Sequence, residues 1–214
     1  MTGEIFLGIA AGIPWTLALT ALSFAIGAVL GLALCGLRMA PSAPLRFVGG
    51  AVILTFRAIP PIVWLFVIFF GIGSDYVPVG PFTAAVAGLG LITAANMAEI
   101  YRGALAAVHS GQWEAAAVLN LPARSRFADV IGPQLLRIAL PSAATYVIGL
   151  LKDSAVASTI GVGEIAFQAY HMSQRTFHGL DVFAIAGALY IAISLPIAFA
   201  ARWADLRMRA AVAR

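Results

Sequence analysis

What this chain lacks is charge. Charged residues make up 10% of its 214 residues and hydrophobic ones 62%, where a soluble domain carries about a quarter charged residues. That deficit excludes an ordinary soluble fold, and no stretch is long and polar enough to form a separate aqueous domain. Cysteine is nearly missing too. Cys35 is the only one and lies in an apolar run, so no internal disulfide can form and the thiol reads as a small buried hydrophobe. Lysine is reduced to Lys152, which follows leucine and precedes aspartate. A phosphate-binding loop needs Gly-Lys-Ser/Thr after a glycine-rich turn, so this chain has none for ATP. His109, His171 and His178 lack metal-ligand spacing and read as polar groups at surfaces or interfaces. No nucleophile and base pair is recognisable, which argues against an intramembrane enzyme. No internal repeat of usable strength and no low-complexity tract appear, and the missing repeat argues against a self-contained secondary transporter. The start, MTGEIFLG, has an acid and no basic n-region, so no cleavable signal peptide is expected.

What is present is apolar length. A bilayer core of about 30 Å needs roughly 20 apolar residues in a helix. Five runs meet this: residues 13–37, 48–70, 82–105, 138–160 and 182–203. Gly27, Gly31, Pro60, Pro61, Gly88, Gly90, Gly149 and Pro196 within them do not veto helices in lipid, where neighbouring helices satisfy freed backbone groups. The arginines then set orientation. Arg38 and Arg46 lie between runs one and two, Arg102, Arg124, Arg126 and Arg137 around the insert between runs three and four, and Arg202, Arg207, Arg209 and Arg214 at the C-terminus. Five crossings put all of these on one side. The other side holds Glu4, Asp75, Glu164 and Asp181, with Arg175 its only basic residue. That asymmetry predicts an N-terminus outside and a C-terminus in the cytoplasm. The net charge of +4 is therefore positive-inside bias and not a nucleic-acid footprint.

Residues 106–137 form an insert too long and too charged for a turn, within one transmembrane domain covering residues 1–214. The segment 112–121 is rich in alanine and leucine and predicts a helix that Pro122 ends. Residues 123–135 predict a second short amphipathic helix near the membrane surface, with Asp129 spaced to pair with Arg126. In the first helix, Ala115, Ala116 and Ala117 carry almost no side-chain bulk and so permit close approach of another surface. Glu114 near its N-terminus suits the helix dipole and can meet a partner's basic group.

A second set of polar residues lies inside the apolar runs. Lys152 and Asp153 fall about 20 Å along the fourth run, a depth at which charge faces a cavity or a partner. Ser154 and Ser158 are four apart and share a helix face. Two readings stay open for this group: a face that lines a path or supports switching, or a structural ion pair with Glu99 or Arg57. Arg57 precedes Pro60-Pro61, where a helix should kink, and suits either a gate or an arginine reaching lipid phosphate. Glu99 and Arg102 are three apart and predict a local salt bridge, with a direct role of Glu99 in the pathway or in switching as the alternative. Asn96, one turn before Glu99, is a candidate pore or interhelical hydrogen-bonding group. On the outward side, residues 161–181 mix Ile165, Phe167, Tyr170 and Met172 with Glu164, Gln168, His171 and Arg175, the pattern of an exposed amphipathic helix or of a segment packed over the outer end of the bundle.

The motifs resemble the permease subunits of ABC importers, in particular their polar-amino-acid class. The resemblance covers nearly the whole chain. Gly12-Ile13-Pro14-Trp15-Thr16-Leu17 resembles that class's opening G-x-x-x-T-L, and Phe56-Arg57-Ala58-Ile59-Pro60-Pro61 its F-R-G-T-P. Ala98-Glu99-Ile100-Tyr101-Arg102-Gly103 matches A-E-I-[FY]-R-G, and Gly111-Gln112-Trp113-Glu114-Ala115-Ala116 matches G-Q-W-E-A-A. Leu151-Lys152-Asp153-Ser154 and Ile160-Gly161-Val162 match L-K-D-[ST] and I-G-V. Three positions depart: Asn120 stands where the loop usually has glycine, Ala58-Ile59 replaces Gly-Thr, and Gly132-Pro133 replaces Leu-Pro. The resemblance implies an all-α, five-span permease of type I fold, with residues 106–137 as a cytoplasmic coupling loop. It implies that Gly111, Glu114, Ala115, Ala116 and Asn120 couple the chain to an ATPase subunit, which would hold the ATP and Mg that this chain does not. It further implies a second permease subunit, an extracytoplasmic substrate-binding protein, and a bacterial inner membrane around them. The implied cargo is a polar amino acid, with a compatible solute as the alternative.

Overall fold

The structure, a computed structural model, describes residues 2–72 and 78–210, and among these only helices occur. Asp75 and Arg214, used above for orientation, lie outside the described residues. The helices are α1 (Thr2–Ala10), α2 (Ile13–Arg38), α3 (Ala43–Ala58), α4 (Pro61–Phe66), α5 (Pro81–Ala107), α6 (Ser110–Val118), α7 (Gly132–Asp153), α8 (Ile165–Thr176) and α9 (Gly179–Ala210). A wide π-type turn, Val67–Ile72, prolongs α4. A π segment, Arg126–Ile131, leads into α7, and a 3-10 turn, Ser154–Ile160, leaves it. Among the described residues four apolar stretches are long enough to cross a membrane, five when the bent pair Ala43–Ala58 and Pro61–Ile72 is counted as one span.

The second run is therefore not one helix. It breaks at Pro60-Pro61 and turns by 100°. A residue before proline is pushed out of the helical region. Here two such residues follow one another, and Ile59 (ψ 133°) and Pro60 (ψ 142°) are both extended. Phe56 and Trp64 stack across the corner with ring centroids 4.5 Å apart.

The segment after Pro122 also differs from the expected surface helix. It runs on into α7, so that residues from Ala123 to Ile160 form one long rod. Pro133 has no N–H to give and its ring would meet the carbonyl four residues back. The chain absorbs this with one wide turn, in which the Gly132 N–H reaches back to the Phe127 carbonyl. The axis continues instead of breaking. Within this wider turn Asp129 forms no ion pair with Arg126, whose guanidinium instead donates to the Leu121 carbonyl at 3.4 Å.

α5 is the central element, lined with buried alanine and glycine over most of its length. Its closest partner is α2, where Ser23, Gly27, Gly31 and Cys35 repeat every four residues and are all buried. A Cβ on Gly27 would overlap Thr93 and lie 2.8 Å from the Gly90 carbonyl; one on Gly31 would lie 2.8 Å from Met97 Cβ. Small residues at this spacing let two backbones meet in lipid, where no hydrophobic drive separates helix from solvent. Tyr101 closes the seam by donating to the Ala28 carbonyl at 3.2 Å. A separate apolar cluster joins α1, α8 and α9 through Ile5, Ile9, Ile165, Ala169, Val182 and Leu189.

Candidate functional site

α6 is a short helix that keeps little of itself inside. Its N-cap is the His109 side chain, whose Nδ1 accepts the Gly111 N–H at 3.1 Å. Ala116 is the buried residue, while Glu114, Ala115 and Ala117 are exposed. Val118 and Leu119 follow with 86% and 71% of their surface open, apolar area that water does not favour. At the C-terminus the Leu121 N–H donates to the Ala116 carbonyl (3.1 Å) and the Asn120 N–H to the Ala117 carbonyl (2.9 Å). Those two bonds define a Schellman cap, which needs a left-handed residue at the position Asn120 occupies. Asn120 takes it, with φ 49°. Asparagine adopts this region more readily than most residues, so the glycine usual in the family loop is replaced without loss of the turn. Gln134 at the foot of α7 donates to the Gln112 side chain at 3.1 Å and ties α6 to the long rod.

The polar residues of the spans do not form one site. Glu99 pairs with Arg102 at 2.7 Å, and Arg102 also donates through Nε at 3.0 Å. Glu99 shares a cavity of about 520 Å³ with Arg38, Arg46 and Arg57. Asn96 donates to the Ile92 carbonyl of its own helix at 2.9 Å. One turn away, the Tyr146 hydroxyl of α7 donates to Thr93 Oγ at 3.1 Å and bridges α5 to α7. Lys152 lies in a groove of about 250 Å³ against Tyr190 and Ser194 of α9. Asp153 is exposed. Among the described residues neither forms an ion pair, so the bridge to Glu99 or Arg57 is not made.

The serines need a correction as well. Helical spacing put Ser154 and Ser158 on one face. Both lie in the 3-10 turn, where residues three apart eclipse and residues four apart do not. Ser154 is buried and donates to the Leu151 carbonyl at 2.7 Å. Ser158 donates to the Ala155 carbonyl at 2.7 Å and lines an outer cavity of about 480 Å³ with Phe167, Tyr170 and His171. Their hydroxyls fasten the tight turn to itself.

The sequence marks Glu164 in the outward segment but not as a buried link between helices. Glu164 is fully buried. Its Oε1 accepts the Phe167 N–H at 2.7 Å and so caps α8; its Oε2 accepts the Tyr190 hydroxyl of α9 at 2.6 Å. Thr16 of α2 accepts the Ile165 N–H at 3.2 Å. A Cβ on Gly12 would lie 2.5 Å from the Ile165 nitrogen, so the chain between α1 and α2 presses directly on this knot. Burial raises the Glu164 pKa above the ordinary carboxyl value, against the lowering effect of its three donors, Tyr190 and the Ala166 and Phe167 N–H groups. An N-cap acid before an apolar run is legible in sequence, but its link to Tyr190 is not.

Among the described residues no cluster of three metal ligands occurs. A bundle of about five spans, with a rod-linked helix displayed at one end, is the build of an importer permease. Residues 23–210 match the family described as the binding-protein-dependent transport system inner membrane component, and the chain belongs to that family. It is 35% identical over 190 residues, covering 89% of this chain and 84% of the relative, to a probable amino-acid ABC transporter permease, YckA of Bacillus subtilis. It is 33% identical over 196 residues to the arginine ABC transporter permease ArtQ of Haemophilus influenzae, covering 83% and 89% of the two chains. Among solved structures, an amino acid ABC transporter crystallised with histidines superposes with a TM-score of 0.86 at 30% identity, covering 96% of this chain and 94% of the other. The inward-facing MetNI methionine transporter shares the fold, with a TM-score of 0.82 at 22% identity over 97% of this chain and 99% of that one.

Proposed function

We propose that this chain is half of the translocation unit of an ATP-driven importer for polar amino acids. The observation that carries the reading is the exposed face of α6. Its alanines, Val118 and Leu119 leave a low, apolar surface at the end of a rod that reaches into the bundle. An ATPase subunit seated there moves α6, and the Gln112–Gln134 bond passes that movement to α7. Gly111, Glu114, Ala115, Ala116 and Asn120 are the coupling residues: small bulk, one acid and a defined turn. A second permease copy or a homologous chain completes the pathway, and an extracytoplasmic binding protein delivers the cargo. Passage or switching draws on Asn96, Lys152 and Asp153, on Arg57 and Glu99 at the cavity between α3 and α5, and on Ser154 and Ser158 in the turn that leaves α7. Charges of both signs in the spans suit a zwitterion, which a sugar path would not need. Support for amino-acid cargo comes from the arginine permease ArtQ and the transporter crystallised with histidines.

The arginine-rich end carrying α6 faces the cytoplasm and the end carrying α8 faces out. Reconstitution with the ATPase and binding protein tests both parts together. Uptake of amino acids is expected only with ATP on the side from which a cysteine at Val118 is labelled, and binding protein on the side from which one at Leu180 is labelled. Uptake confined to betaine-like solutes, sugars or peptides would replace the cargo, and reversed labelling would replace the orientation.

A further inference from the structure

The cavity between α2, α3 and α5 has an excess of positive charge that the fold does not balance. Arg46, Gly50, Leu54 and Arg57 of α3 all line it, a repeat that follows one helix face. Arg38 enters from the end of α2, where a Cβ on Gly50 would lie 3.5 Å from its guanidinium carbon. Side chains lean toward the N-terminus of their helix. Arg38, near the end of α2, therefore leans into the membrane, while Arg57, near the end of α3, leans back toward the hairpin, and both line the one cavity, with Arg38 lying over Gly50. Arg46 is steadied by the Pro41 and Ala40 carbonyls at 2.8 and 3.3 Å. Arg38 and Arg57 have no hydrogen-bond or ion-pair partner among the described residues. The acid in the cavity, Glu99, is bound to Arg102 and acts on Arg57 and Arg38 only at longer range, so one carboxylate faces four guanidinium groups.

We propose that this cavity is a binding site for the headgroup of an anionic phospholipid. Two guanidinium groups offer donors in the fork geometry that matches phosphate oxygens. Phe47 and Leu54, 77% and 68% exposed, border the same cavity and give the acyl chains an apolar wall. The site sits at the positively charged end of the bundle, where basic pockets between spans meet anionic headgroups. Gly50 keeps the floor open. A lipid phosphate there locks the α2–α3 hairpin against α5 and neutralises Arg57 beside the Pro60-Pro61 corner.

The test is native mass spectrometry of the assembled permease and ATPase complex, released from nanodiscs of equal parts phosphatidylglycerol and phosphatidylcholine. Retention of phosphatidylglycerol over phosphatidylcholine is expected. The Arg38→Gln/Arg57→Gln double variant should lower that preference about tenfold or more, the factor for losing a charge-assisted hydrogen bond. Gly50→Leu, which keeps every charge but fills the floor, should lower it too. Inorganic phosphate and free amino acids should not displace the lipid. Equal retention of both lipids, or unchanged preference in Gly50→Leu, overturns the proposal even where the double variant fails to assemble. Displacement by amino acids also overturns it and returns the cavity to the transport path. These readouts need neither ATP nor cargo, so they stand apart from the uptake test.

Discussion

α6 and α8 are both short helices beside the long spans, and they are held in opposite ways. α6 rests on its own ends, a histidine cap and an asparagine turn, and on the exposed Gln112–Gln134 bond to α7, with Ala116 as its buried residue. α8 is capped by a buried carboxylate that also binds α9, and its first N–H is taken by α2. A helix fastened by local bonds keeps a face for a partner. A helix fastened to two spans moves only when they do. The contrast leaves an open apolar face at one end of the molecule and a helix bound to two spans at the other.

The largest effect that would sharpen this contrast belongs to Ala115→Trp. The added ring blocks approach to α6, and ATP-driven uptake should fall about tenfold or more, the scale of an overpacked contact. The thermal midpoint of the isolated permease should stay unchanged. A folding defect instead would show that α6 is part of the core and not a displayed helix.

Glu164→Ala should act the other way round, on stability before transport. It leaves the Tyr190 hydroxyl and the Phe167 N–H buried without an acceptor, at a cost of about 2–4 kcal/mol. The wild-type group also titrates. Because its pKa is raised in the fold, its stabilising contribution is full below the ordinary carboxyl value and is lost as pH rises through the raised value. Glu164→Gln cannot titrate, so the stability of wild type relative to this variant should decline with rising pH across that window. A difference in denaturation midpoint that stays flat with pH would remove the assignment.

The smallest effect is expected at Asn120. Asn120→Gly should stabilise the α6 cap by about 0.5–1 kcal/mol, since glycine carries no penalty at positive φ. Asn120→Val should loosen it. Hydrogen exchange of the Leu121 amide, which donates across the cap, should slow in the first and quicken in the second. No change in either would mean that the cap is set by its surroundings.

Spans one, three and five were legible because twenty apolar residues in sequence admit few other readings. α6 was legible because its alanines and Pro122 bound it from inside and out. Pro60-Pro61 signalled a kink, yet the size of the turn depends on two successive residues forced extended, and on Trp64 stacking over Phe56. The join of residues 123–135 to α7 hid behind Pro133, since a proline normally argues for a stop and only the wide turn at Gly132 lets the rod continue. The Ser154–Ser158 face failed because helical spacing was assumed where the backbone tightens to 3-10. Glu164 was seen but not as a buried link, because its main partner, Tyr190, lies 26 residues further on and on another span.

The corner at Pro60-Pro61 also decides how the second span is completed. α3 has 16 residues, about 24 Å of helix, and so falls short of the roughly 30 Å hydrocarbon layer on its own. α4 with its wide turn is shorter still. Neither half crosses the layer alone. Leu65 of α4 settles over Gly88, where a Cβ would stand 2.9 Å from its side chain, and Gly88 belongs to α5. The bent span is therefore completed against α5, the element that follows it in the chain.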